Sequence, residues 1–167
     1  MEQLNPDVPV YNEAEAIRLV GELNADAIER ALNIIIARHE ILRTTIELKD
    51  GEPTTVVHET WPIQIKKIDL QALTAPEREA EVERLLTEEP RLPYRLEAEP
   101  GIRATLLDLG PKEHILILMM HHIICDWSSE GVLWRELSNL YRMIILDETP
   151  ALPPLTIQHG DCLLYTS

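Results

Sequence analysis

At 167 residues, with 45% hydrophobic and 26% charged side chains, the chain is long enough for one domain or one lobe of a larger one, since chains of this size bury about 70% of the surface they expose when unfolded. Fifteen basic residues against twenty-nine acidic ones give a net charge of -14, which repels nucleic-acid phosphates and anionic membranes, so neither is an expected partner. The longest apolar run, Ile115 to Met120, falls far short of the ~20 residues a membrane span needs, and the start lacks a basic and apolar leader, which together predict a cytoplasmic protein.

In chain order, imperfect alternation from Glu15 to Gly21 predicts a strand. A helix follows, capped by Asn24, with Ala27, Ile28, Ala31, Leu32, Ile35 and Ile36 at helical spacing up to about Arg38. Residues Ile41 to Leu48, Thr54 to His58 and Ile63 to Ile68 read as strands, and Asp50-Gly51 between the first two marks a hairpin turn. Pro76 to Glu89 is dense in glutamate with a narrow apolar stripe, the pattern of a solvated surface helix, and Pro90, Pro93 and Pro100 then break the chain into a loop. Ile102 to Leu107 and His114 to Met120 pair across Gly110-Pro111, the second apolar throughout as in a strand covered on both faces. Ser128 or Ser129 caps a final helix to about Leu146, with Val132, Leu133, Leu137, Leu140, Tyr141 and Ile144 on its buried side. The expected class is α+β, a mixed sheet flanked by helices.

The segment Met119-Met120-His121-His122-Ile123-Ile124-Cys125-Asp126 sets two imidazoles at the end of a buried strand, where polar groups are costly unless hydrogen-bonded. If strand geometry continues, His121 and His122 point to opposite faces, so one is structural and the other available for chemistry. Asp126, four residues beyond His122, can return toward the histidine or pair with a cation that holds the following loop. A histidine here is more commonly a satisfied core residue than a catalyst, so spacing by itself leaves both readings open. No metal is expected: His114, His121, His122 and Asp126 form no i, i+4 ligand pair, and Cys125 and Cys162 are too far apart for a zinc ribbon and too few for a disulfide framework. Neither Cys125 nor Ser128 sits in a nucleophile elbow or beside an independent base.

His121-His122-Ile123-Ile124-Cys125-Asp126 resembles the His-His-x-x-x-Asp-Gly signature of nonribosomal peptide synthetase condensation domains. Arg38-His39-Glu40-Ile41-Leu42-Arg43-Thr44 resembles the family's earlier Arg-His-Glu-x-Leu-Arg-Thr motif, and Asp50-Gly51-Glu52-Pro53 the turn after it. Pro93-Tyr94-Arg95-Leu96-Glu97, Gly101-Ile102-Arg103-Ala104, Glu113-His114 and Gly131-Val132-Leu133-Trp134-Arg135-Glu136-Leu137 follow in the family's order, so the resemblance covers about Val8 to Asp161.

The resemblance implies a chloramphenicol acetyltransferase-like lobe, the first of two that flank an active-site tunnel. It implies amide formation between a donor acyl or peptidyl thioester and an acceptor aminoacyl thioester, each on the phosphopantetheine arm of a carrier domain, with no cofactor bound by the domain itself. The implied partners are donor and acceptor peptidyl carrier domains, an adenylation domain and the missing carboxy-terminal lobe. His122 matches the second signature histidine, as general base or as the group that orients the attacking amine. Asp126 and Arg43 match the pair implied to form a structural ion pair, His121 a structural role. Without the resemblance, Arg43 reads as a solvent-facing strand residue.

Two departures stand out. Trp127 occupies the place of the signature glycine, adding bulk and removing the freedom to adopt positive φ, so turnover is expected to fall if that backbone lies against the reacting carbonyl. Residues 162–167 depart from the family's continuation, giving a division into a partial amino-terminal lobe at 1–161 and an atypical tail that suggests truncation or a junction. The isolated fragment is expected to be inactive and to associate through its uncovered face. The alternatives are an epimerisation domain of the same synthetases, a coenzyme A-dependent acyltransferase of the same fold, and a noncatalytic module that docks carrier domains.

Overall fold

The computed structural model describes residues 12–124 and 127–155, with backbone alone at 127–130. Cys125, Asp126, Cys162 and the tail expected at 162–167 lie outside the described residues. The elements are β1 (Asn12–Val20), α1 (Ala25–Arg38), β2 (Thr44–Lys49), β3 (Glu52–Val57), β4 (Lys66–Asp69), α2 (Ala75–Glu88), β5 (Ile102–Gly110), β6 (Glu113–His121) and α3 (Trp127–Ile145). They fall into two units, one holding β1, β4, α2, β5 and β6, the other α1, β2, β3 and α3.

The first unit is a four-stranded sheet in the order β1-β6-β5-β4, antiparallel except for the parallel β4–β5 pair. Every residue of β6 from His114 to His121 is buried, as the unbroken apolar run predicts. Val82 and Leu85 of α2 join a core with Leu107, Leu109, Ile115, Ile117 and Met119; burying each large aliphatic side chain contributes about 1.5–3 kcal/mol. Glu77 ties the start of α2 by accepting from the N–H and hydroxyl of Thr74 at 3.0 and 2.6 Å, which holds its carboxyl below the ordinary value of 4.5.

β1 begins at Asn12, three residues before the expected Glu15, because its ladder with β6 continues through Glu13↔Met120 to Asn12↔His121. Glu13, Glu15, Ile17 and Leu19 share the half-buried face of β1, while Ala14, Ala16, Arg18 and Val20 are exposed. Two glutamates on the inward side are what hid the start of this strand in the sequence.

In the second unit, Asn24 caps α1 by accepting from the Ala27 N–H at 3.0 Å, and the six apolar residues expected on its inner face are all buried. α1 packs on α3, which buries Leu133, Leu137 and Leu140; Val132, Tyr141 and Ile144 are only partly covered. α3 starts at Trp127, so Ser128 and Ser129 sit in its first turn and not at the cap position. The strand expected from Ile41 begins only at Thr44, because Glu40–Arg43 forms a 3₁₀ turn in which the Leu42 N–H donates to the His39 carbonyl at 3.0 Å. The strand expected from Ile63 likewise begins at Lys66, since the Asn33 side chain takes both backbone groups of Ile63, at 2.8 and 3.0 Å.

Asp50 and Gly51 turn the β2–β3 hairpin with φ of 54° and 85°, the left-handed pair that a tight two-residue turn requires. A Cβ on Gly51 would meet nothing within 4 Å, so the cost of a substitution there is a backbone cost alone. Gly51→Val should destabilise the protein by about 1–2 kcal/mol in a denaturant titration; an unchanged midpoint would contradict the turn assignment.

Candidate functional site

His121 is the last residue of β6 and is 4% exposed. Its Nδ1 accepts from the Ile123 N–H at 3.2 Å, and its ring meets Tyr94 edge-on at 6.0 Å. Tyr94 in turn donates to the Met119 carbonyl at 2.7 Å and carries the Arg103 guanidinium 4.1 Å above its ring. These contacts tie His121 to the turn after the strand.

His122 lies one residue past the strand, and its side chain is 53% exposed. Its Nδ1 is 2.7 Å from Oε1 of Glu13, whose side chain is 23% exposed. A carboxylate only accepts, so Nδ1 carries the hydrogen of this bond. The sheet register explains the contact. Glu13 stands opposite Met120, and His122 lies two residues beyond Met120, just past the strand end, which brings the pair within reach of long side chains. The strand ends between the two histidines, with His121 buried and His122 half-exposed.

Arg43, in the second unit, ends the 3₁₀ turn and is not in a strand; its side chain is 14% exposed, so it does not face solvent either. Nη1 donates to the His58 carbonyl, Nη2 lies 3.7 Å from Oε1 of Glu40, and Nε is buried with no partner among the described residues. Its expected partner Asp126 lies outside those residues. Trp127 opens α3, a right-handed helical position, so the positive φ that a glycine would allow is not needed there.

Arg38 and His39, from the first motif, both reach Glu136 of α3: Arg38 Nε donates to Oε1 at 3.1 Å and His39 Nε2 lies 2.8 Å from Oε2. Glu136 is only 7% exposed, so the motif's first two residues tie the end of α1 to α3. Sequence reasoning missed both Glu13 and Glu136. The signal was present in each case: Glu13 has the parity of Ile17 and Leu19, and Glu136 follows Leu133 by three residues and precedes Leu140 by four, on the buried stripe of its helix.

Among the described residues no group of three or more His, Cys, Asp or Glu converges to hold a metal ion. A shallow hollow of about 570 Å³, lined by Val20, Gln71, Arg78, Leu109, Lys112 and Glu113, lies at the opposite end of β6 from His122 and includes none of the signature residues. No helix among the described residues is long and apolar enough to cross a membrane.

The Condensation domain family matches residues 1–159. The chain is 38% identical over 165 residues to one of the proteins that make up the linear gramicidin synthase of Brevibacillus parabrevis, covering 99% of this chain and 3% of that protein. It is 38% identical over 167 residues to the nonribosomal peptide synthetase kk1B of Curvularia clavata, covering 99% of this chain and 1% of that protein. Its fold matches the X-domain from teicoplanin biosynthesis with a TM-score of 0.85 at 27% identity, over 96% of this chain and 34% of that one. It matches the first condensation domain of the calcium-dependent antibiotic synthetase, also with a TM-score of 0.85 but at 23% identity, over 99% of this chain and 39% of that one. The chain thus spans a small part of its long relatives and little more than a third of these two solved structures. With the family match over residues 1–159 and relatives 38% identical along nearly the whole chain, this chain belongs to the condensation-domain family of nonribosomal peptide synthetases.

Proposed function

We propose that this chain supplies the signature-bearing part of a condensation domain that joins a donor acyl or peptidyl thioester to an acceptor aminoacyl thioester, with His122 as its catalytic residue. The observation that carries the reading is the half-exposed imidazole of His122, tethered at Nδ1 to Glu13. The acceptor amine attacks the donor carbonyl carbon; a C–N bond forms, the C–S bond breaks, and the proton lost by the amine passes through Nε2 to the departing thiolate. A neutral imidazole suits this task, and the protein needs no cofactor of its own, because both reactants arrive on phosphopantetheine arms. Carrier domains are its partners in this reading, an adenylation domain supplies them, and a carboxy-terminal lobe completes the site.

Arg43 and Asp126 are assigned the structural ion pair of the family, a role that agrees with the burial of Arg43 and with its unpartnered Nε among the described residues. The reading is tested in the intact protein that carries this chain, with donor and acceptor loaded on their carrier domains. Mass spectrometry of the acceptor-bound species should find the condensed amide. An inverted α-carbon with no amide would instead support epimerisation, and transfer from free coenzyme A thioesters would support the soluble acyltransferase.

A further inference from the structure

The edge strand β1 presents one face to water, through Ala14, Ala16, Arg18 and Val20, and a half-buried face through Glu13, Glu15, Ile17 and Leu19. A glutamate needed only for solubility belongs on the first. Glu13 is on the second, and one of its oxygens, Oε2, is buried with no partner among the described residues. Withdrawing a carboxylate from water this far is unfavourable unless a hydrogen bond offsets it, and Glu13 Oε1 has that bond with His122 Nδ1 at 2.7 Å.

Resting on the function proposed above, we infer that Glu13 is the positioning residue of the site. It aims the His122 ring and fixes the tautomer that leaves Nε2 free to take the amine proton. It also faces the positive charge that develops on the imidazole once that proton arrives. His122 is set one residue beyond the last strand residue, where the backbone ladder no longer constrains it, so the side-chain bond to β1 supplies the orientation that the sheet does not. Glu13 touches no reacting atom; its effect is transmitted through the histidine.

The test is a set of four variants of the intact protein that carries this chain, assayed for single-turnover amide formation with both thioesters on their carrier domains. Glu13→Ala should lower the rate of the chemical step by about 10- to 100-fold with the acceptor concentration for half-maximal rate unchanged. Glu13→Gln keeps an acceptor oxygen within reach of Nδ1 and should recover most of that loss. On a His122→Ala background Glu13→Ala should cause no further loss, because the two residues act as one unit. Equal losses on both backgrounds, or a Gln variant as impaired as the Ala variant, would overturn the assignment. A fully active Glu13→Ala beside an inactive His122→Ala would overturn the role of Glu13 alone, whereas a fully active His122→Ala would overturn the functional reading on which it rests.

Discussion

His122→Ala should lower amide formation by about 10²–10⁴-fold in the intact protein, with carrier-bound substrates still loading and docking normally. The expectation comes from geometry and chemistry together. The His122 ring is half-exposed at the strand end, whereas its neighbour His121 is buried and already engaged with the Ile123 N–H and the Tyr94 ring. The same substitution at His121 should therefore act on folding instead, because it removes the acceptor that closes the turn. Comparing soluble yield and rate for the two variants separates the roles. A rate unchanged in His122→Ala, or a collapse of folding equal to that of His121→Ala, would contradict them.

Glu136→Ala should cost about 3–5 kcal/mol of folding stability, the range for removing one partner from a buried charged network. Glu136 is 7% exposed and accepts from Arg38 at 3.1 Å while contacting His39 at 2.8 Å, so its loss removes a shared carboxylate from two groups at the joint between α1 and α3. Arg38 keeps a second bond, from Nη2 to the Pro153 carbonyl at 2.5 Å, which places the expected effect toward the lower end of the range. Glu136→Gln, which preserves shape and one acceptor, should lose less. Urea unfolding curves of the three proteins decide the matter; a Glu136→Ala midpoint within error of the parent would mean that the network contributes nothing net.

Elements with strong local signals were legible before any coordinates. Asn24 caps α1 and its six inner apolar residues are buried as read; the continuous apolar run of β6 is buried throughout; Asp50-Gly51 turns its hairpin. What escaped was decided by partners distant in sequence. Ile41 to Arg43 has strand composition but folds as a 3₁₀ turn, and Ile63 has its backbone groups taken by a side chain thirty residues away. The site was half legible. The His-His pair at the end of a buried strand was legible, but Glu13 lies 109 residues from His122 in sequence and becomes its neighbour only through the β1–β6 register. A charged residue on a short edge strand reads as solvated until parity shows which face it occupies.

The site centred on His122 is expected to form amides even though Trp127 replaces the signature glycine. Mass spectrometry of the acceptor carrier domain, after a single turnover by the intact wild-type protein with both thioesters preloaded, addresses this without any substitution. The expected product is an acceptor carrier domain whose mass has grown by the donor acyl group, and mild hydroxylamine should release that group and the acceptor residue together as a single hydroxamate. An acceptor that remains unmodified while the donor thioester is merely hydrolysed would contradict it.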